Sequence, residues 1–214
     1  MALDKGSMKG QFFPYKDENV AKSFPAVTYA LIAINVAVFL WSLSDFEHII
    51  SAYGFVPVNF VLLTLFTSIF LHGGVGHIFG NMWYLYLFGD NVEDRLGKAK
   101  YIVFYVLSGL AAALAHYLTD PSSIVPTIGA SGAISGVLGA YLVLFPKVRV
   151  HVASYYYSGT VPASALVGFW FLLQLILGTA SLAGSGSGIA FWAHIGGFVF
   201  GYAAAKVMKM KSPL

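Results

Sequence analysis

Long apolar runs separated by short polar segments dominate the pattern of the chain. Six of the runs are long enough to cross a bilayer, which takes about 20 residues with some tolerance; they lie at 26–43, 76–89, 99–118, 131–145, 161–182 and 189–208. A further apolar stretch at 54–74 contains Pro57 and ends in a glycine pair, so we expect a partly embedded loop with a short helix there. The pattern predicts an all-α membrane protein built as a bundle of six transmembrane helices.

The positions of the basic residues give this bundle a direction. The 12 Lys and Arg residues all fall before the first run, between the second and third, between the fourth and fifth, or at the end of the chain. Six spans place these regions on one side of the membrane, which the positive-inside rule makes cytoplasmic. We therefore expect both termini to be cytoplasmic and the stretch before the second run to be the first external loop. The predicted domains are an uncleaved N-terminal tail (1–25), a six-helix membrane domain (26–209) and a C-terminal tail (210–214).

The composition excludes several classes of function. The chain is 58% hydrophobic and 10% charged, with a mean hydropathy of +0.76, whereas soluble domains carry about 25% charged residues. Membrane lipid is therefore its expected surroundings, and the topology of the basic residues explains the basic pI without a nucleic-acid partner. The absence of cysteine excludes disulfides and thiolate chemistry. The chain has no His-Glu-x-x-His zinc motif, and Asp90 stands alone at a span end, so we expect neither a metal nor a cofactor.

Histidine, asparagine and serine are the polar groups that remain inside the predicted spans. Ser131 stands at the first turn of the fourth span, and His194 lies about one turn into the sixth. Both spans start on the outer side, so a rise of about 1.5 Å per residue places the two side chains at one depth. His77 and Asn81, four residues apart, share one face in the outer half of the second span. These four groups are expected to meet in the outer third of the membrane.

Glycines at a spacing of four predict close contact between the fourth and sixth spans. Gly132 and Gly136 lie on the fourth span, and Gly197 and Gly201 lie on the sixth. Such faces let helix backbones approach closely in lipid. A hydrogen bond between the Ser131 hydroxyl and the His194 ring is the expected result. The alternative is that these small residues serve packing alone.

A paired serine and histidine would support acyl transfer. A serine hydroxyl needs an adjacent base, and His194 is the intramembrane candidate near Ser131. No Asp or Glu is placed to orient the ring, so we expect a dyad rather than a triad. The Asn81 amide, the His77 ring and the Ser131 backbone N–H are candidate donors to the tetrahedral oxyanion. Two glycines beside the nucleophile, Gly129 and Gly132, would let a substrate backbone approach it.

Four motifs, in order along the chain, carry a resemblance to a known family. The motifs "HGGVGHIFGN", "FGDNVEDRLGK", "GASG" and "AHIGGFVFG" resemble those of the rhomboid family of intramembrane serine proteases, and the similarity runs from about 26 to 208. The resemblance implies that Ser131 is the nucleophile and His194 its general base. It also implies an oxyanion site and its supports, formed by His77, Asn81 and Gly129 with His72 and Gly132 beside them. Family substrates are single-span membrane proteins, cut near the outer face of the membrane.

The chain departs from the family pattern in two places. Some members carry a Trp-Arg pair in the first external loop, but no Arg occurs between Ser44 and Gly76. Some place an aromatic residue one turn after the nucleophile to pack on the base, where this chain has Ser135. An external loop at 183–188 is a candidate cap over the site. Three aromatic residues of the fifth span, Phe169 to Phe171, are expected to face mostly lipid, with a lateral gate as the alternative.

The sequence thus predicts an intramembrane serine endopeptidase in a cell (inner) membrane, with an active site that opens to the extracytoplasmic side. Its expected partners are single-span transmembrane substrates. The main alternative is a catalytically silent relative that binds membrane clients, but such relatives typically lose the serine or the histidine. A transporter would usually show an internal repeat, and none is evident here.

Overall fold

A computed structural model describes residues 13–19, 21–154, 158–182 and 188–211. Within these residues the chain forms eight α-helices, two short 3-10 turns at Pro57–Asn59 and Ser68–Phe70, and three strands. The helices are α1 (Ala26–Ser42), α2 (Phe46–Tyr53), α3 (Leu62–Thr67), α4 (Val75–Leu96), α5 (Lys98–Thr119), α6 (Ser131–Leu144), α7 (Ala163–Leu182) and α8 (Phe191–Lys211). Each of the six predicted spans overlaps one of the six longest helices.

Length and composition single out a subset of these helices as candidate membrane spans. Among the described residues, α5 and α7 are each long and apolar enough to cross a membrane. A third candidate is the pair Leu62–Phe70 and Val75–Leu96, which is bent by 86° at the break between its two parts. The apolar helices α1 and α6 have only 17 and 14 residues. Two or three spans are therefore supported directly, and the six-span topology stays a prediction.

Helix α6 lies at the centre of the bundle, with every residue from Gly132 to Tyr141 buried. It runs parallel to α8, and the two backbones touch at glycines. A Cβ atom placed at Gly197 would overlap the carbonyl oxygen of Gly132, and one at Gly201 would overlap that of Gly136. Only glycine allows this approach, because any side chain would separate the helices. The close contact brings the first turns of α6 and α8 together at one end of the bundle, called here the Ser131 end.

A buried carboxylate joins α1 to α4 at the opposite end. Glu93 on α4 is 1% exposed. Its oxygens accept hydrogen bonds from the backbone N–H groups of Val27 (3.0 Å) and Thr28 (2.7 Å) and from the Thr28 hydroxyl (2.8 Å). Helix α1 has no side-chain cap of its own, and a negative charge is favourable at a helix N-terminus. Glu93 therefore caps α1 from a neighbouring helix.

A three-stranded antiparallel sheet was not part of the all-α prediction. Its strands are β1 (Phe13–Asp17), β2 (Arg149–Ala153) and β3 (Ser158–Pro162), in the order β1-β2-β3. Strand β3 includes the first two residues of the predicted fifth span, so the helix there begins at Ala163. In β2 the alternate residues Val150 and Val152 are buried, which is the pattern of a strand with one covered face.

Strand β1 anchors the end of the predicted N-terminal tail against the helices. The indole N–H of Trp83 donates to the carbonyl oxygen of Pro14 (2.7 Å). The Asp17 carboxylate accepts hydrogen bonds from the Asn91 side-chain amide (2.9 Å) and the Tyr141 hydroxyl (2.5 Å). Burial raises the pKa of the Asp17 carboxyl from its ordinary value. Residues 13–19 of the predicted tail therefore pack against the helices.

The stretch predicted as a partly embedded loop supports the segment before α6. Phe55 and Thr127 form an isolated antiparallel bridge. The backbone N–H of Gly129 donates to the carbonyl oxygen of Ser68 (2.9 Å). These bonds hold the chain at residues 127–129, directly ahead of Ser131.

Candidate active site

Ser131 and His194 are joined by a hydrogen bond at the start of two parallel helices. Ser131 is the first residue of α6, and His194 lies on the first turn of α8. The His194 Nε2 atom is 2.9 Å from the Ser131 Oγ atom. Both residues are partly exposed, although Gly132 to Tyr141 below Ser131 are all buried. Ser131 therefore lies where α6 reaches the surface of the bundle, and its hydroxyl has a base within hydrogen-bonding distance.

The other nitrogen of the His194 ring has a partner that the sequence reasoning missed. Its Nδ1 atom is 2.8 Å from the side-chain oxygen of Gln174 on α7. Gln174 is 9% exposed, and it is the one polar residue in the apolar run 166–177. A single amide in such a run indicates a polar partner inside the bundle, because polar groups inside spans are costly unless they have one.

His77 and Asn81 both lie on α4, and the His77 ring reaches Gly129, two residues before Ser131. A Cβ atom placed at Gly129 would lie 2.7 Å from the His77 Nε2 atom and 3.7 Å from the Ser131 Oγ atom. Gly129, with φ at +123°, therefore stands between the His77 ring and the serine, in a conformation that favours glycine. The Asn81 side chain is buried, and its Nδ2 atom has no hydrogen-bond partner among the described residues.

The orientation of the His77 ring follows from its backbone neighbour. The backbone N–H of Gly73 donates to the Nδ1 atom of His77 (3.3 Å). In the neutral ring the proton is then on Nε2, the nitrogen that faces Gly129. The Asn81 amide and the backbone N–H of Ser131, which has no acceptor within its own helix, are the other candidate donors, and the His77 ring is the one that lies against Gly129.

The remaining predicted site residues occupy supporting positions. His72 is fully buried, and its ring meets that of His77 edge to face with centroids 5.2 Å apart. Gly132 packs α6 against α5, since a Cβ atom there would meet that of Ala112. The structure therefore gives Gly132 a role in helix packing, as its spacing from Gly136 predicts, and its role in letting a substrate approach stays a prediction.

The aromatic residues of α7 differ from one another in their surroundings. Phe169 is 62% exposed on the outer surface of the bundle. The Trp170 ring lies 6.1 Å from the His194 ring, and Phe171 stacks on Phe198 at 4.1 Å. Ser135, which stands where some family members carry an aromatic residue, donates to the carbonyl oxygen of Ser131 (2.6 Å). The predicted cap at 183–188 lies outside the described residues except for its last position.

A serine hydroxyl, an imidazole ring and a side-chain amide are linked in that order by two hydrogen bonds at the Ser131 end. The hydroxyl and the ring are within hydrogen-bonding distance, the ring has a second partner, and the Asn81 Nδ2 atom is a buried donor without a partner among the described residues. These are the parts that acyl transfer or hydrolysis of an acyl bond requires.

Comparisons with known proteins agree with the resemblance found in the sequence. A family model described as the Rhomboid domain matches residues 59–211. The chain is 31% identical over 209 residues to "Rhomboid protein 1, mitochondrial" of Saccharomyces cerevisiae, covering 91% of this chain and 59% of that protein.

Two further relatives match shorter parts of the chain. "RHOMBOID-like protein 5" of Arabidopsis thaliana is 41% identical over 78 residues, or 36% of this chain and 25% of that protein. "Rhomboid protease GluP" of Bacillus subtilis is 29% identical over 144 residues, or 67% of this chain and 25% of that protein. The chain therefore spans well under two thirds of the length of each of these three relatives.

Proposed function

Because this chain belongs to the rhomboid family, we propose that it is an intramembrane serine endopeptidase that acts through a Ser131–His194 dyad. Its rhomboid domain and apolar helices make it a multi-pass membrane protein. The proposed reaction is hydrolysis of peptide bonds in or near transmembrane segments of other membrane proteins. The observation that carries the proposal is the 2.9 Å contact between the Ser131 hydroxyl and the His194 ring.

The proposed reaction begins with attack by Ser131 on the peptide carbonyl. As the bond from Oγ to carbon forms, the hydroxyl proton passes to Nε2 of His194. The tetrahedral oxyanion accepts hydrogen bonds from the Asn81 amide, the His77 ring and the Ser131 backbone N–H. When the C–N bond breaks, His194 returns its proton to the leaving amine. Water then attacks the acyl carbon while His194 takes a proton from it; the bond from Oγ to carbon breaks, His194 returns the proton to Oγ, and the new carboxylic acid end is released.

We further propose the orientation that the basic residues predict. Six spans, with both termini and the basic loops on the cytoplasmic side, put the Ser131 end toward the extracytoplasmic face. A substrate helix hides its carbonyls in its own hydrogen bonds, so it must unwind locally to present one. Single-span membrane proteins with helix-weakening residues near that face are the proposed substrates. A cell (inner) membrane is the proposed location.

Cleavage in liposomes tests the proposed function. The purified chain is reconstituted with a single-span substrate protein, and the product ends are mapped by mass spectrometry. We expect one main cut within the transmembrane segment or a few residues outside it. A substrate that co-purifies with the chain but stays uncut would contradict the proposal and favour the client-binding alternative.

Asn81→Ala is expected to lower kcat by about 10²-fold or more with a small change in KM, because an oxyanion donor acts mainly in the transition state. Asn59→Ala is a matched control, since the Asn59 side chain is exposed at the end of the 3-10 turn Pro57–Asn59. Initial rates in detergent or liposomes measure both. Equal rates for Asn81→Ala and the unmodified protein would contradict the proposed role of Asn81 as an oxyanion donor.

A further inference from the structure

Gln174 is the one polar contact of the His194 ring besides Ser131 among the described residues. The ring therefore lies between an amide on α7 and a hydroxyl on α6, with contact distances of 2.8 Å and 2.9 Å. This places three helices around a single imidazole. The proposed dyad accounts for one of the two contacts and leaves the other without a role.

The identity of the contacting atom decides where the ring proton sits. A carbonyl oxygen only accepts, so the Nδ1 atom that faces Gln174 must carry the hydrogen. In a neutral ring the Nε2 atom then has a free lone pair directed at the Ser131 hydroxyl, as a general base requires. The opposite tautomer would set the Nδ1 lone pair against the amide oxygen and use Nε2–H to donate to the serine. That arrangement would not take the hydroxyl proton.

The packing of α7 on α8 holds Gln174 in this position. Trp170, one turn before Gln174, lies beside the His194 ring with centroids 6.1 Å apart. Gly178, one turn after it, accepts a hydrogen bond from the Trp192 indole N–H (3.1 Å). These residues share one face at a spacing of four, whereas their neighbours Leu172 and Ile176 are 52% and 54% exposed. The amide is thus fixed on the buried face of a helix whose other sides are open.

We propose that Gln174 is a positioning residue, which holds His194 in the tautomer and orientation needed to accept the Ser131 proton. The proposal rests on the proposed function and assigns to a neutral amide the task that a carboxylate performs in a triad. A neutral group avoids the cost of an ionised carboxylate inside the membrane. Ser135 does not supply this support, because its hydroxyl bonds to the backbone of its own helix.

The electrostatic surroundings of the ring allow a test by pH. His77 on α4 is the titratable group that interacts with His194 across the site. Ser131 and Gln174 are the polar side chains that contact the ring from α6 and α7, and no Asp, Glu, Lys or Arg of the described residues does so. A carboxylate introduced at position 174 would therefore be the nearest charge to the ring.

Two variants of Gln174 separate positioning from packing. Gln174→Met keeps the length and volume of the side chain but removes the acceptor. We expect kcat to fall by about 10- to 100-fold with KM little changed, because the ring loses its orientation. Gln174→Glu presents an oxygen to the ring in either orientation, so we expect it to retain cleavage. Its carboxylate stabilises the protonated ring, so the acid limb of the kcat/KM profile should move up by about one to three pH units.

The controls distinguish failure of this proposal from failure of the proposed function. Leu173→Met, a neighbouring change on the open side of α7, should leave kcat and the pH profile unchanged. Thermal unfolding in detergent shows whether each variant is folded. If Gln174→Met is unstable, the pH profile of Gln174→Glu still tests the proposal. The positioning role would be overturned if a folded Gln174→Met protein had an unchanged kcat, or if the acid limb of Gln174→Glu did not move. Neither result would contradict the Ser131–His194 dyad. Absence of cleavage by the unmodified protein would overturn both.

Discussion

Ser131→Ala is expected to lower the rate of proteolysis by at least about 10³-fold while the protein still folds. Among the described residues the hydroxyl has one side-chain partner, His194, so its removal takes away the nucleophile and little packing. His194→Ala should cause a comparable loss, because an isolated serine is a weak nucleophile. The two losses should not add in the double variant, since both residues serve one proton transfer. Cleavage of a reconstituted transmembrane substrate, followed on gels over time, gives the rates.

Ser135→Ala is the matched control for the nucleophile. It removes a serine hydroxyl one turn away on the same helix, and that hydroxyl bonds to a backbone carbonyl. We expect its rate to stay within about threefold of the unmodified protein, because such local bonds contribute little to a helix. Substantial proteolysis by a folded Ser131→Ala protein would contradict the dyad.

Gly201→Ala should produce the largest loss of stability among single-methyl changes. The added Cβ atom would overlap the Gly136 backbone at the carbonyl oxygen, the carbonyl carbon and the Cα atom. A backbone cannot move aside as the tip of a side chain can, so α6 and α8 must separate. Overpacking of this kind costs about 1–3 kcal/mol and occasionally more, and we expect the upper part of that range. The unfolding midpoint in detergent should fall, and activity should fall with it, because the dyad spans these two helices.

Gly168→Ala provides the comparison. Gly168 lies within α7, and a Cβ atom there would have nothing within 4 Å. The substitution should leave the midpoint unchanged or raise it slightly, since alanine favours a helix by up to about 1 kcal/mol over glycine. If both glycine variants unfolded at the same temperature as the unmodified protein, the close approach of α6 and α8 would be contradicted.

The meeting of Ser131 with His194 could be expected from the sequence for a physical reason. Span direction fixes depth, and glycines at a spacing of four fix which faces of two helices touch. The contact of Gln174 with His194 was not predicted, because the rotation of α7 about its axis decides what the amide meets. Helix α7 has no two glycines at a spacing of four that would indicate this rotation. Gly132 contacts α8 as the glycine spacing predicts, but its second contact, with Ala112 of α5, depends on how α5 packs and could not be predicted from that spacing.

The sheet could not be derived from local pattern. Strands β1 and β2 have five residues each, and their pairing joins Phe13 to Ala153 and Asp17 to Val150. Runs this short carry too few alternations to identify a strand, and nothing in either run specifies a partner so distant in sequence. The contacts of the predicted N-terminal tail could not be foreseen either, because the residues that bind it, Trp83, Asn91 and Tyr141, lie on two separate helices.

The most direct measurement of the central claim is the site at which a fluorophosphonate probe attaches to the folded protein in liposomes. The probe reacts with a serine whose hydroxyl is activated by a base, forming a bond from Oγ to phosphorus and releasing fluoride. We expect mass spectrometry to find the adduct on Ser131, with labelling lost in His194→Ala and in heat-denatured protein. An adduct on a different serine, or equal labelling of Ser131 with and without the imidazole, would contradict the account.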